Sequence, residues 1–270
     1  MKIIIDKLMI SRMSIPKYIN SKRFSEFLKR RKNILDHPEK FIRDIEMIYS
    51  FLEIEKRMKI LEIGAGEGLE LYEIANLGAA CYGIEICLEC AELVDKLADH
   101  NNLNIAVIKG DACEMPFLNN FFDGIYAKNT FEHIWDKNKA IKECIRVLKP
   151  GALILILDGN PFDPRVLYEQ LVKKFIKTKG KYGGYKWILN RDKFMEDYGI
   201  GWKGKDEDVR SIFWWKKFLH QFPDLKPKLI TTKFYYMYKN DAYFTNKFLK
   251  FLYPFYPFIG NVIILAEKIK

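Results

Sequence analysis

Three glycines lie where a buried strand is expected to turn into a helix. Gly64, Gly66 and Gly68 follow the apolar run at residues 60–63, and a glycine backbone can approach a ligand without a Cβ clash. Their spacing is G-x-G-x-G, whereas the dinucleotide fingerprint is G-x-G-x-x-G. Glu67 stands inside the turn, where it would repel a pyrophosphate but not a cationic sulfonium group. The turn therefore predicts a nucleotide-like cofactor and counts against a nicotinamide dinucleotide and its oxidoreductase chemistry.

Carboxylates follow the next two predicted strands. Glu85 comes about 20 residues beyond the turn, where a carboxylate can accept hydrogen bonds from both ribose hydroxyls. Asp111, with Ala112 beside it, follows the third strand and can address an adenine amino group. A helix cap would explain either acid alone. Three successive strand-end features predict one ligand site, because open α/β sheets bind ligands at that edge.

The elements that must position these residues alternate between strand and helix. Such alternation is the signature of βαβ units and a mostly parallel sheet. Strands are predicted at residues 59–63, 80–84, 105–109, 122–126 and 152–157, and helices at residues 69–77, 88–100 and 138–147. Two later strands, at 228–237 and 261–266, predict a closing antiparallel hairpin with the aromatic segment 243–258 in its connection.

Apolar residues at three- and four-residue spacing predict a helical lead-in over residues 21–57. The break falls at Asp36-His37-Pro38, where Pro38 can begin the second helix with Asp36 near its cap. We therefore predict a helical N-terminal extension and one α/β domain. Their bounds are 1–57 and 58–270, the latter with a cofactor-binding core at 58–158 and acceptor-side additions with the closing hairpin at 159–270.

The sequence resembles the class I S-adenosylmethionine-dependent methyltransferases, in particular the type 11 and ubiquinone-biosynthesis-like small-molecule enzymes. The resemblance covers residues 58–158 and lies in LEIGAGEG at 61–68, YGIEI at 82–86, GDACEMPF at 110–117, FFDGIYAKNTFEHI at 121–134 and RVLKPGALILI at 146–156. The second glycine usual after the proline of the last motif is Ala152 here. The resemblance implies a Rossmann-like α/β fold. Its seven-stranded, mostly parallel sheet would carry helices on both faces and an antiparallel C-terminal hairpin.

The resemblance also implies S-adenosylmethionine as the cofactor and a set of residues that bind it. Those residues are Glu62, Gly64, Ala65, Gly66, Gly68, Glu85, Ile86, Asp111, Ala112, Lys128 and Asn129. The glycines would surround the methionine moiety, Glu85 the ribose, and Asp111 with Ala112 the adenine. Lys128 falls where the family presents backbone to the amino-acid end of the cofactor, and its ammonium could pair with the cofactor carboxylate or point to solvent.

Methyl transfer is an in-line displacement that proximity and orientation can accelerate without a dedicated base. Where a base would help, histidine is best matched to neutral pH. Among the four histidines, His133 follows the fourth strand and is the candidate catalytic residue. The alternative is that Glu132 and His133 brace the following helix. His220, beside Trp214 and Trp215, is a second candidate for contact with the acceptor.

The net charge of +10 is uneven along the chain, with +6 in residues 1–57, −7 in 58–160 and +11 in 161–270. Aromatic residues interleaved with lysines at 243–258 favour a small organic or lipid-linked acceptor, and we expect oxygen to be the methylated atom. The segment could make peripheral membrane contact, or it could be the core and lid of an ordinary hairpin. Basic flanks also suit RNA or DNA. Against nucleic acid, Asn160-Pro161-Phe162 lacks the second proline of the amino-methylating signature and lies after the wrong strand. A non-catalytic cofactor-binding protein of the same fold is the third alternative.

Other features of the sequence bear on its compartment and on metal binding. The five cysteines are odd in number, which argues against a disulfide framework. Cys87 and Cys90 form a single C-x-x-C, for which we expect buried side chains and no metal. No signal peptide and no apolar run of about 18 residues are apparent. These observations predict a cytoplasmic protein, and they leave its oligomeric state open.

Overall fold

The computed structural model describes residues 8–19, 21–161, 210–232 and 261–270. The strands are β1 (Lys59–Ile63), β2 (Ala80–Glu85), β3 (Ile105–Lys109), β4 (Phe122–Lys128), β5 (Leu148–Asp158), β6 (Leu225–Thr232) and β7 (Val262–Lys268). The helices are α1 (Met9–Arg12), α2 (Lys22–Asp36), α3 (Glu39–Phe51), α4 (Leu69–Asn76), α5 (Leu88–His100), α6 (Lys137–Val147) and α7 (Ile212–Leu219), with a 3-10 turn at Phe131–His133. The alternation predicted from the sequence is present in the order expected.

The strands form one sheet in the order β3-β2-β1-β4-β5-β7-β6. Strands β1 to β5 pair in parallel, and β7 lies antiparallel between β5 and β6. Strand order reverses between β1 and β4, and at such a switch point the connections leave a crevice at the carboxyl ends of the strands. The predicted Rossmann-like fold is confirmed, and the crevice lies beside the glycine turn.

The closing hairpin pairs β6 with β7 from Leu225↔Lys268 to Thr232↔Val262. The prediction of an antiparallel hairpin is thus confirmed. Its first strand begins at Leu225, earlier than the predicted residue 228. The predicted continuation at 233–237 and the aromatic segment 243–258 lie outside the described residues.

Strand β5 is longer than predicted, because pairing with β4 begins already at Leu148. The register shifts between the pairs Phe122↔Leu148 and Gly124↔Leu153. The intervening residues include Gly151, which has a φ of +79°. The Lys149-Pro150-Gly151 stretch, which follows the predicted helix 138–147, is therefore an irregularity inside a strand.

The N-terminal helices break where the sequence predicts, between Asp36 and Glu39. The predicted cap is wrong in detail. Pro38 occupies the N-cap position without a side-chain bond, and the Asp36 carboxylate instead accepts a hydrogen bond from the Lys32 ammonium at 2.6 Å. Asp36 ends α2 and therefore faces the preceding turn of its own helix, where an i,i+4 lysine is its natural partner.

The N-terminal extension packs into the core of the domain. Phe27 on α2 and Ile45 and Ile48 on α3 share a fully buried cluster with Tyr72 on α4 and Val94 on α5.

The Glu73 carboxylate on α4 accepts hydrogen bonds from the Met9 and Ile10 amides, both at 2.8 Å. Helices α1 to α3 are thereby held against the elements that follow the glycine turn and β2.

Within the described ranges, no helix is long and apolar enough to cross a bilayer.

Candidate functional site

All three glycines of the turn adopt left-handed backbone angles, with φ of +73° at Gly64, +53° at Gly66 and +71° at Gly68. Glycine reaches these angles without a steric cost. A Cβ on Gly64 would lie 2.5 Å from the Thr130 side chain, and one on Gly68 would lie 2.9 Å from Val94. At Gly66 the nearest atom would be the Arg30 Nη1 at 3.9 Å. Gly64 and Gly68 therefore allow close packing of neighbouring side chains, whereas Gly66 borders open space.

Glu85 joins the turn to the end of β2. Its Oε2 accepts a hydrogen bond from the Gly66 amide at 2.8 Å, and its Oε1 accepts one from the Cys87 amide at 2.9 Å. Burial raises the pKa of this carboxyl, and the two amides act against that rise. Each carboxylate oxygen retains a second lone pair. Glu85 is therefore fixed in place with acceptor capacity left for a pair of hydroxyl groups.

Glu62 is buried on β1, two residues before the first glycine, with 3% of its surface exposed. Its Oε2 has no well-aligned hydrogen-bond partner in the described part of the chain. Burial and the neighbouring Glu70 raise the pKa of Glu62 well above its usual value, although the nearby Tyr126 hydroxyl acts to lower it. An unsatisfied carboxylate oxygen is costly in the interior, so a cationic donor placed beside it would gain a strong interaction.

Lys128, at the end of β4, does not point to solvent, which corrects one of the two alternatives considered for it. Its ammonium lies 2.5 Å from the Glu70 carboxylate and 3.1 Å from that of Asp44. Burial lowers the pKa of Lys128, but Glu70 and Asp44 outweigh it, and the net shift is upward. These ion pairs link β4 to α3 and α4, because Asp44 and Glu70 lie on those helices.

Asn129 and Thr130 follow β4, and the Thr130 side chain packs against Gly64 of the turn. Asn129 has a φ of +51°, and its amide donates to the Leu157 carbonyl on β5 at 2.7 Å. Thr130 donates through Oγ1 to the Lys128 carbonyl at 3.1 Å and fills the space that a Cβ on Gly64 would need. The predicted pair Lys128 and Asn129 therefore lies at the same sheet edge as the glycines.

Ile86, Asp111 and Ala112 lie together at the ends of the adjacent strands β2 and β3, where Glu85 pairs with Lys109. Ile86 is 44% exposed. Asp111 is exposed, and its Oδ1 accepts a hydrogen bond from the Cys113 amide at 2.8 Å. An apolar side chain beside an exposed carboxylate suits a flat heteroaromatic ring that carries an amino group.

His133 lies in the 3-10 turn that follows β4, with 40% of its side chain exposed and its Nε2 3.7 Å from the Glu132 carboxylate. The other oxygen of Glu132 accepts a hydrogen bond from the Gly159 amide at 3.1 Å. Glu132 therefore ties this turn to the end of β5. His220 is exposed at the end of α7, next to the buried Trp215.

Asp158 ends β5 and is 1% exposed, and its two oxygens have no well-aligned partner in the described part of the chain. Burial, with Glu132 nearby, raises its pKa well above the usual value. Asp158 is not among the residues predicted from the sequence, although an acid that ends the apolar strand LILILD is a recognisable signal. Arg30, Asp44 and Thr130 are not among them either, because their contacts come from distant parts of the chain.

The C-x-x-C pair opens α5 beside Glu85, and both cysteines are buried as expected. A hydrogen bond from the Cys90 thiol lowers the pKa of Cys87, and the same bond raises that of Cys90. The described ranges hold no cluster of three or more side chains that could bind a metal ion.

Comparison with known proteins finds similarity to methyltransferases over the core of the chain. Residues 61–156 match the family model described as a methyltransferase domain. The chain is 35% identical over 130 residues to a protein from Oryza sativa named probable tocopherol O-methyltransferase. That match covers 45% of this chain and 36% of the relative. It is also 34% identical over 112 residues to a sterol 4-C-methyltransferase from Caenorhabditis elegans. That match covers 40% of this chain and 33% of the relative. The chain thus spans about a third of the length of these relatives.

Among solved structures, a SAM-dependent methyltransferase from Aquifex aeolicus superposes with a TM-score of 0.53, covering 84% of this chain and 90% of that one at 16% identity. At this identity the likeness concerns the fold. The match to the methyltransferase domain and the similarity to named methyltransferases support S-adenosylmethionine as the cofactor.

Proposed function

We propose that this protein is an S-adenosylmethionine-dependent methyltransferase that acts on a small organic or lipid-linked acceptor, with oxygen as the methylated atom. The observation that carries the proposal is the connection of Gly66 to Glu85 through a 2.8 Å hydrogen bond. This bond holds the carboxylate that would bind the ribose against a glycine turn that is open at Gly66. The bound cofactor would supply an electrophilic methyl group.

The residues present suit each part of that cofactor. Glu85 would accept the ribose hydroxyls, while Ile86, Asp111 and Ala112 would border the adenine. Glu62, with its unsatisfied Oε2, would face the cationic amino-acid end, beside Gly64, Ala65 and Gly68 of the turn and the backbone of Lys128 and Asn129. The excess of buried carboxylates around the turn favours a ligand that carries positive charge.

The names of the relatives support the proposed class of acceptor. Tocopherol and sterol, named for two of them, are apolar ring compounds, one methylated at oxygen and the other at carbon. We therefore favour a small or lipid-linked acceptor over nucleic acid, and His133 would serve as base where the acceptor hydroxyl needs one. Proximity alone would serve an acceptor that is already nucleophilic.

Transfer of a labelled methyl group tests the proposed activity. The full-length protein, given methyl-labelled S-adenosylmethionine with a lipid extract or with total RNA, should label the organic-extractable fraction. Label confined to RNA would overturn the small-molecule acceptor in favour of the nucleic-acid alternative. An absence of label in both, with intact cofactor binding, would favour the non-catalytic alternative.

Glu85→Ala should weaken binding of S-adenosylhomocysteine by about 1.5–3 kcal/mol, the range for hydrogen bonds to a charged group. The change removes the carboxylate that would hold the ribose and also the acceptor of the Gly66 amide. Glu92→Ala is the matched control, because Glu92 is an exposed acid on α5 that pairs with Lys96. Calorimetric titration measures both variants. An unchanged affinity in folded Glu85→Ala would remove the ribose assignment.

A further inference from the structure

Arg30 reaches from the N-terminal extension to the glycine turn. It lies on α2, and its Nη1 donates a hydrogen bond to the Glu67 carboxylate inside the turn. The same nitrogen is the nearest atom, at 3.9 Å, to the position that a Cβ of Gly66 would occupy. The guanidinium therefore borders the open side of the turn, at the point where the backbone is free to receive a ligand.

Among the described residues, Arg30 is a cation that borders the turn and remains partly exposed. Burial lowers its pKa, but Glu67, Glu70 and Glu62 outweigh this, and the net shift is upward. Its side chain is 54% exposed, whereas that of Glu67 is 9% exposed. Lys128, which ends β4, is 16% exposed and is already paired with Glu70 and Asp44. Some N–H groups of the Arg30 guanidinium are therefore open to solvent, whereas the Lys128 ammonium is already paired with two carboxylates.

Resting on the proposed function, we propose that Arg30 binds the carboxylate of the cofactor's methionine moiety. A guanidinium binds a carboxylate in bidentate fashion through two parallel N–H groups. Glu62, with its unsatisfied oxygen, is placed to receive the ammonium of the same moiety. The two side chains then match the two charges of the amino acid, and a residue of the N-terminal extension completes the cofactor site.

Arg30 could affect cofactor binding directly or indirectly, and the two possibilities predict different results. If it contacts the carboxylate directly, its effect depends on whether the ligand has a carboxylate. If it only braces the turn through Glu67, its effect is the same for any ligand that occupies the turn. S-adenosylhomocysteine has the amino-acid moiety, and 5′-methylthioadenosine lacks it while keeping the adenine, the ribose and the sulfur.

The test is calorimetric titration of both ligands into the wild type and Arg30→Met. We expect Arg30→Met to weaken S-adenosylhomocysteine binding by about ten- to a hundredfold, the effect of losing a charge-assisted hydrogen bond, and to leave 5′-methylthioadenosine binding within about twofold. Lys32→Met is the matched control on the same helix, because Lys32 is 77% exposed and pairs only locally with Asp36. It should change neither affinity.

Glu67→Gln keeps the proposal testable if Arg30→Met folds poorly. This variant weakens the Arg30–Glu67 ion pair and leaves the guanidinium free for the ligand, so binding of S-adenosylhomocysteine should be retained or improved. A loss that is equal for both ligands in Arg30→Met, or a Glu67→Gln variant that binds S-adenosylhomocysteine as weakly as Arg30→Met, would overturn the direct contact. Failure of the wild type to bind either ligand would instead overturn the proposed function.

Discussion

Replacing Gly64 with alanine should destabilise the protein by about 2–5 kcal/mol and remove cofactor binding. The backbone strain of a left-handed φ contributes about 1–2 kcal/mol, and the forced contact with Thr130 contributes about 1–3 kcal/mol more. The φ of Gly64 is +73°, and its Cβ would lie 2.5 Å from both Cγ2 and Oγ1 of Thr130. Urea denaturation and titration with S-adenosylhomocysteine measure the two effects.

Gly151→Ala is the control that isolates backbone strain. Gly151 has a similar φ of +79°, but a Cβ there would have nothing within 4 Å. It should lose only the strain, about 1–2 kcal/mol. The double variant Gly64→Ala/Thr130→Ala should recover part of the Gly64→Ala loss, because it removes the two atoms that clash and leaves the Thr130 Cβ at 3.1 Å. Equal destabilisation in Gly64→Ala and Gly151→Ala would contradict the close contact.

Lys128→Met should destabilise the protein by about 3–5 kcal/mol, the cost of removing one partner from a buried ion pair. The variant leaves the carboxylates of Asp44 and Glu70, which are 5% and 9% exposed, without their shared cation. Lys32→Met removes an exposed ion pair instead, so it should cost no more than about 1 kcal/mol. Similar losses in both variants would contradict a buried ion-pair network at the end of β4.

The pH dependence of the Lys128→Met effect follows from the direction of each pKa shift. Burial raises the pKa of Glu70, but Lys128 outweighs it, and the net shift is downward. This contribution is present above the unfolded pKa of about 4.3 and is lost as pH falls through the lower folded value. The pKa of Lys128 is raised, so its contribution is lost only as pH rises above about 10.4. The gap in unfolding free energy between wild type and Lys128→Met should therefore be constant near neutrality and narrow at both extremes.

The parts of the site that could be predicted from the sequence are those encoded within a few residues. The three glycines, Glu85 and Asp111 each end or follow an apolar strand, and parallel pairing brings the carboxyl ends of strands to one edge. Short-range patterns of apolar residues likewise predicted the order of helices and strands and the closing hairpin.

What could not be predicted depends on contacts between distant residues. Arg30 and Glu67 are 37 positions apart, and Lys128 and Glu70 are 58 apart. Nothing in the helical periodicity of α2 says that its Arg30 faces the turn rather than solvent. The pairing of Lys128 with two carboxylates likewise follows from how α3 and α4 pack against β4, which an isolated sequence pattern does not specify.

The most direct test of the central claim is calorimetric titration of the wild-type protein with S-adenosylmethionine, S-adenosylhomocysteine and NAD in parallel. The glycine spacing, the carboxylate-rich turn and the family match predict that the first two bind and that NAD does not. Binding of NAD alone, or of none of the three, would contradict the assignment of this site to S-adenosylmethionine.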